Sequence, residues 1–269
     1  MTSGRGAPAA VDLHTHTVAS DGSDRPRELV EAAAAAGVGV LAVTDHDTVA
    51  SVGDRVVHVL LYGEGLLEPD LAESVEVARR GRRERNLAIG ERLQRLTGVG
   101  YQEAAGIAGP SALSRAHFAR ALIARGAVAD VAEAFDRYLS SGRPAYVPAP
   151  SVSVTDAVAI AAKAGGVAVL AHPGRLAPPE RDRVLAEALE AGVDGVEVWH
   201  SQHDAELRRS LAGLVERRGL LATGGSDYHG RHKPSVRVGS GSDGNVAVPG
   251  ELLDALLDRL DWPTAAPPG

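Results

Sequence analysis

Val167-Ala168-Val169-Leu170-Ala171-His172-Pro173-Gly174 is an apolar run of strand length that ends on a histidine. A helical stretch, 153–164, precedes it. The alternation continues beyond it as helix 180–191, strand Gly195–Trp199, helix 204–218 and strand Leu220–Gly224. Repeated βα units with apolar strands imply an α/β fold with a parallel sheet, closed as a barrel or doubly wound.

Nearer the N-terminus the same pattern recurs. Val11–Thr15 reads as a short strand, Ser20–Asp24 as a polar turn, and Pro26 opens a helix through Ala36 that Gly37 closes. Val38–Val43 is a continuous apolar run, as expected of a strand buried on both faces. It leads into Thr44-Asp45-His46-Asp47, and a second strand-like run follows at Arg55–Tyr62. Leu71–Tyr138 is almost entirely helical and reads as an inserted cap. The expected organisation is a frayed tail at 1–10, a main domain at 11–65 and 140–262, a helical insert at 66–139, and a Pro-rich tail at 263–269. The last helix spans about 251–260.

The 269 residues suffice for one sizeable α/β core. Aromatics make up only 3%, so Ala, Val and Leu must build it. The net charge of −7 argues against a general nucleic-acid-binding surface and a stable nucleic-acid complex. An anionic substrate remains compatible, because bound cations can reverse the sign of a small site. The absence of cysteine rules out disulfides, thiolate catalysis and Cys-based metal sites. Met1–Ala10 has no apolar signal segment and no stretch approaches a membrane span, so a cytoplasmic location is expected. The basic run Arg79–Arg85 is flanked by Glu76, Glu84 and Glu91, which fits a solvated, salt-bridged helix face.

Among the ten histidines, His14 and His16 lie two apart at the end of the first strand. Alternation puts them on one face with Asp12, as a claw for a borderline metal, with Asp12 placed to orient a ring. His46, His172, and Asp227 with His229 each follow a later strand. Any one of these histidines alone would be an ordinary satisfied side chain. Four strands delivering His or Asp past their C-terminal ends mark the edge where parallel α/β folds build active sites. Taken alone, His58 reads as a strand histidine near the surface, and Asp21 as a turn or capping residue. His200 and His203 read either as substrate-binding groups or as polar residues of a βα loop.

Asp12-Leu13-His14-Thr15-His16, Thr44-Asp45-His46-Asp47-Thr48, Ala171-His172-Pro173-Gly174 and Gly224-Gly225-Ser226-Asp227-Tyr228-His229-Gly230 resemble the four motifs of the PHP (polymerase and histidinol phosphatase) family. Leu113–Leu122, Ala134–Leu139 and Gly142–Val147 resemble the cap of its small bacterial phosphoesterases. The resemblance implies a distorted TIM-like β/α barrel with a helical insert. It also implies one to three divalent ions (Mn, Fe or Zn) and hydrolysis of phosphate from nucleotides or short oligonucleotides. Carried over, the metal ligands would be His14, His16, Asp21, His46, His58, His172, Asp227 and His229. Asp45, Arg115, His117 and His200 would be catalytic, and Arg115, His117 and His203 would hold substrate. For Arg115 a solvated helix position is the plainer alternative to a phosphate clamp.

One departure stands out. PHP relatives carry a further βα unit after the second motif, ending in a Gly-Val-Glu-Ile-Ser-like segment whose glutamate bridges two metals. Here Val49-Ala50-Ser51-Val52 runs directly toward His58, without room for that unit. Glu64 is a poor substitute, roughly 20 Å along a strand at about 3.3 Å per residue. The alternatives to a nucleotide or oligonucleotide phosphoesterase are a weakened relative that binds a phosphorylated ligand, and a histidinol-phosphate phosphatase.

Overall fold

A computed structural model describes residues 10–45, 49–52, 55–67, 69–148 and 151–262. The first strand, β1 (Ala10–Thr15), pairs in parallel with β2 (Val38–Val43) across helix α1 (Pro26–Ala35). Pro26 at the first helical position, Glu28 accepting from the Arg25 N–H (2.7 Å) and Gly37 at φ 74° bound that helix as the sequence requires. Contrary to the expectation from its apolar run, β2 is not buried on both faces, and Val43 is 45% exposed. Among the described residues β2 pairs with β1 alone.

In place of a crossover helix, a short antiparallel hairpin follows, β3 (Val49–Val52) with β4 (Arg55–Val57). The strand reading of 55–62 breaks at His58, beyond which β5 (Val59–Tyr62) joins a different sheet. The helical insert comprises α2 (Pro69–Thr97), α3 (Tyr101–Ala108), α4 (Arg115–Ala124) and α5 (Val131–Ala134), which runs into a π-helical turn at Phe135–Leu139. It packs on its own core, centred on Ile89, Leu93, Phe118, Leu122 and Leu139. Ala112 N–H donates to Ser20 O (2.7 Å) and Ser111 Oγ to Gly22 O (3.0 Å), which pins the insert to the loop after β1.

The βα alternation then resumes with β6 (Ser151–Ser153), α6 (Val154–Lys163), β7 (Val167–Leu170), α7 (Pro178–Glu190), β8 (Gly195–Trp199), α8 (Ala205–Arg218) and β9 (Leu221–Gly224). A two-residue antiparallel pair, β10 (Val236–Arg237) with β11 (Gly241–Ser242), precedes the closing helix α9 (Gly250–Arg259). Ser153 caps α6 by accepting from Asp156 N–H (3.0 Å), and Asp204 caps α8 by accepting from Leu207 N–H (2.8 Å). Strands β7, β8 and β9 are parallel, with Val, Leu and Ala cores on both sides. The expected all-parallel sheet fails at one strand. β5 runs antiparallel to β7, pairing Val59 with Leu170 through to Tyr62 with Val167. β5 is joined to β7 only through the whole helical insert, so no single βα crossover imposes a parallel pairing on the two strands.

This reversal has a positional effect. The parallel strands bring their C-terminal ends to the site, whereas β5 brings its start. Ala171 N–H donates to His58 O (2.9 Å), so His58 stands at the edge where β7 delivers His172.

Candidate metal centre

The end of β1 is zipped to the segment after β9. Asp227 N–H donates to His14 O (2.9 Å), His16 N–H donates to Tyr228 O (2.9 Å), and Thr15 bridges Tyr228 in parallel. A Cβ at Gly225 would collide with His14, so only glycine permits this approach. Asp12 supports the junction, in a role different from the one expected. Its carboxylate accepts from Ser226 N–H (2.9 Å), Ser226 Oγ (2.6 Å) and Gly239 N–H (2.7 Å), and orients backbone rather than an imidazole.

The residue that orients His14 is Glu197 of β8, which sequence reasoning missed. It is fully buried, accepts from His14 Nδ1 (2.9 Å), and with its other oxygen accepts from the His172 N–H (2.7 Å). Burial works against the charged form of Glu197, yet the His14 charge and hydrogen bond bring its carboxyl below the ordinary value. With Nδ1 committed as donor, His14 turns Nε2 inward, where it is buried with no hydrogen-bond partner. Asp227 Oδ1 lies 3.6 Å from that nitrogen and 3.3 Å from His16 Nε2.

His229 shows the same logic. Its Nδ1 donates to Asp227 O (2.8 Å), which leaves Nε2 3.1 Å from Asp21 Oδ1. His14, His16 and Asp227 thus offer ligand atoms that lie within 4.8 Å of one another, and so do His16, Asp21 and His229. His58 Nδ1 and His172 Nε2 face each other at 3.1 Å, and burial with the neighbouring His58 holds His172 well below the usual imidazole value. Burial also opposes the charge on Asp227, but hydrogen bonds from His16 and His200 and the charges of His14 and Lys233 keep it ionised. Inward-facing imidazoles, a carboxylate held ionised and an orphaned buried nitrogen are the donor set of a borderline divalent ion. His46 lies outside the described residues.

His172 and Asp227 occupy left-handed backbone conformations, at φ 28° and 57°. Such strain in non-glycine residues persists where surrounding contacts over-determine it. For His172 those contacts include Glu197 and the Gly174–His203 hydrogen bond.

Several expected roles change. Asp45 accepts from Thr17 N–H (2.7 Å), Thr17 Oγ1 (2.6 Å) and Ser20 Oγ (2.5 Å), so it braces the turn that carries Asp21. Arg115 donates to Leu139 O (3.2 Å) and sits over the Phe135 and Tyr146 rings, so its guanidinium is engaged within the insert. His203 is buried with both nitrogens in use: Nδ1 donates to Val198 O (2.9 Å) and Nε2 accepts from Gly174 N–H (3.0 Å). It cannot hold substrate. His200 is buried within the cluster, its Nε2 3.4 Å from Asp227 Oδ2, and positions that carboxylate. His117 alone of the expected cap residues faces the site. It lines a cleft of about 220 Å³ together with Asp21, His58, Arg120, Arg175, His229 and Lys233. Its Nδ1 accepts from Ser114 N–H (3.0 Å) at the start of α4. Glu64 is exposed in a 3-10 turn, outside the cluster.

Comparison with known proteins gives a concordant picture. The PHP domain model matches residues 12–90. The chain is 34% identical to a 3',5'-nucleoside bisphosphate phosphatase of Chromobacterium violaceum, across 87% of this chain and 92% of that one. It is 33% identical to the 5'-3' exoribonuclease Rnm of Escherichia coli, across 81% and 84%. A solved structure from Bifidobacterium adolescentis, described as a metal-dependent phosphoesterase, superposes with a TM-score of 0.77 at 30% identity, covering 94% and 98%.

Proposed function

Because this chain belongs to the PHP family of metal-dependent phosphoric ester hydrolases, we propose that it removes phosphate from nucleotides or short oligonucleotides at this centre. The observation that carries the reading is the convergence of His14 and His16 on Asp227, and of His16 and His229 on Asp21, beside a cleft ringed by cationic side chains. His14, His16, Asp21, Asp227 and His229 would hold the divalent ions, with His58 and His172 completing the centre on the β5 side. The imidazole–carboxylate set suits Zn, Fe or Mn. When bound, the ions supply Lewis acidity at the phosphoryl oxygens and a water acidic enough to attack near neutral pH.

The protein's own groups do the rest. Glu197 fixes the His14 tautomer, Asp45 fixes the turn bearing Asp21, and Ser114 keeps the His117 Nδ1 lone pair occupied so that Nε2–H is a donor to substrate. Arg120 and Arg175 at the cleft supply the positive field an anionic nucleotide needs. The insert at 66–139 serves as the cap that carries this substrate-facing wall. The Thr15–Tyr228 bridge, which ties β1 to the strand-end segment after β9, supports a barrel-like closure.

A second reading, a weakened relative that only binds a phosphorylated ligand, is favoured by one observation. Glu197 is committed to His14 and His172 and Glu64 is exposed, so neither substitutes for the bridging glutamate of PHP relatives. Metal analysis of the purified protein together with phosphoester turnover separates the two. The expected result is at least one ion per chain and turnover with added Mn. Less than one ion and no turnover would leave only the binding reading. His14→Ala should remove both metal and activity while the fold persists; surviving activity would place the centre elsewhere. Turnover of nucleoside 3',5'-bisphosphates, short 5'-phosphorylated RNA and histidinol phosphate, compared side by side, tests the substrate class.

A further inference from the structure

Of the 28 lysines and arginines in this chain only two are lysines. Lys163 is an exposed residue in the last turn of α6. Lys233 stands at the metal centre. Its Nζ donates to Asp227 Oδ2 at 2.5 Å, while the other oxygen of that carboxylate faces His14 and His16. One carboxylate therefore divides between the His14–His16 pair and an ammonium, with His200 Nε2 3.4 Å from the lysine-bound oxygen. The lysine backbone is held as well, with its N–H donating to Gly230 O (3.1 Å) and its carbonyl accepting from Val236 N–H (3.0 Å). The side chain is half-buried and lines the same cleft as His117. Among the described residues Asp227 is its one side-chain partner, which leaves two ammonium protons for the cleft.

We propose that Lys233 is the substrate-holding cation of this site: its ammonium, anchored on the outer oxygen of Asp227, binds a non-bridging oxygen of the phosphoryl group being hydrolysed. The inference rests on the phosphoesterase reading above. Here a covalently tethered positive charge stands beside the shared carboxylate. A compact ammonium can bind one carboxylate oxygen and one phosphoryl oxygen together. A planar guanidinium presents a fork that a single carboxylate oxygen does not match, which accounts for a lysine at this position in an arginine-rich chain.

The test compares the full-length wild-type protein with Lys233→Met and Lys233→Arg. Three quantities are read: metal content, calorimetric affinity of the metal-loaded protein for inorganic phosphate, and kinetics on a phosphomonoester. Lys233→Met should keep its metal, lose about tenfold or more in phosphate affinity, and lose about 10²–10³-fold in kcat/KM. Lys233→Arg should not restore either. Phosphate affinity and kcat/KM within about threefold of wild type would overturn the assignment. So would loss of metal in step with activity, because the lysine would then only be holding Asp227. If the wild-type protein hydrolyses no phosphoester, the functional reading fails, while the phosphate titration still decides the role of the lysine.

Discussion

Glu197 couples two ligands from one buried position, and its effect can be separated from its charge. Glu197→Gln preserves shape, but an amide nitrogen facing His14 would donate to Nδ1 and drive the ring proton to Nε2, the atom that must ligate. Metal affinity should fall about 10–100-fold with little loss of helix or strand content, as read by metal titration and circular dichroism. Unchanged affinity would mean that the tautomer is set by something else. The same residue shows what sequence can and cannot convey. His14, His16, His172, Asp227 and His229 were legible because they sit in short motifs at or just past strand ends, and the structure brings all five together. Glu197 was not, because one acid within Gly195-Val196-Glu197-Val198-Trp199 looks like an outward-facing position of an alternating strand. For His203 and Arg115 the sequence hid something else. Their neighbourhood in sequence was right, but only the fold shows that backbone carbonyls, a backbone amide and aromatic rings already occupy them.

At the level of elements, α4 depends on a histidine in its first turn. His117 accepts from Ser114 N–H, a bond that requires a neutral Nδ1. Burial, with repulsion from His232 and Arg120, lowers the His117 pKa from 6.5 to about 4. The unfolded chain therefore takes up this proton at a higher pH than the folded one. The contribution to stability is complete above pH 6.5 and is lost as pH falls toward about 4. His117→Gln retains an acceptor suited to the third helical position and removes the titration. Wild type should lose more melting temperature than this variant between about pH 7.5 and pH 5. Parallel slopes would show that the α4 start does not sense pH. The helical character of the insert was readable from composition. The reversal of β5 was not, since apolar periodicity gives a strand but no direction. The exposure of β2 was also hidden, because burial of Val38–Val43 depends on which elements pack over it.

For the whole molecule, ions that bind only the folded chain must stabilise it. At about a hundredfold excess over the dissociation constant the gain is about 2.7 kcal/mol. For a chain of this size that corresponds to a rise on the order of 5 °C or more in melting temperature, reversed by chelator. Scanning calorimetry with and without EDTA reads it directly, and identical midpoints would argue against a preformed centre. Among the described residues no helix is long and apolar enough to cross a membrane. The antiparallel course of β5 also bears on the order in which the chain can assemble. Pairing of β1 with β2 and closure of the insert core require only segments close in sequence, which form early at low loop-closure cost. His58 acquires its place only when β7 arrives more than a hundred residues later, and His14 only when the Asp227 segment docks. During synthesis the emerging polypeptide therefore carries a folded insert well before it can capture an ion, and catalytic competence is the last property it gains.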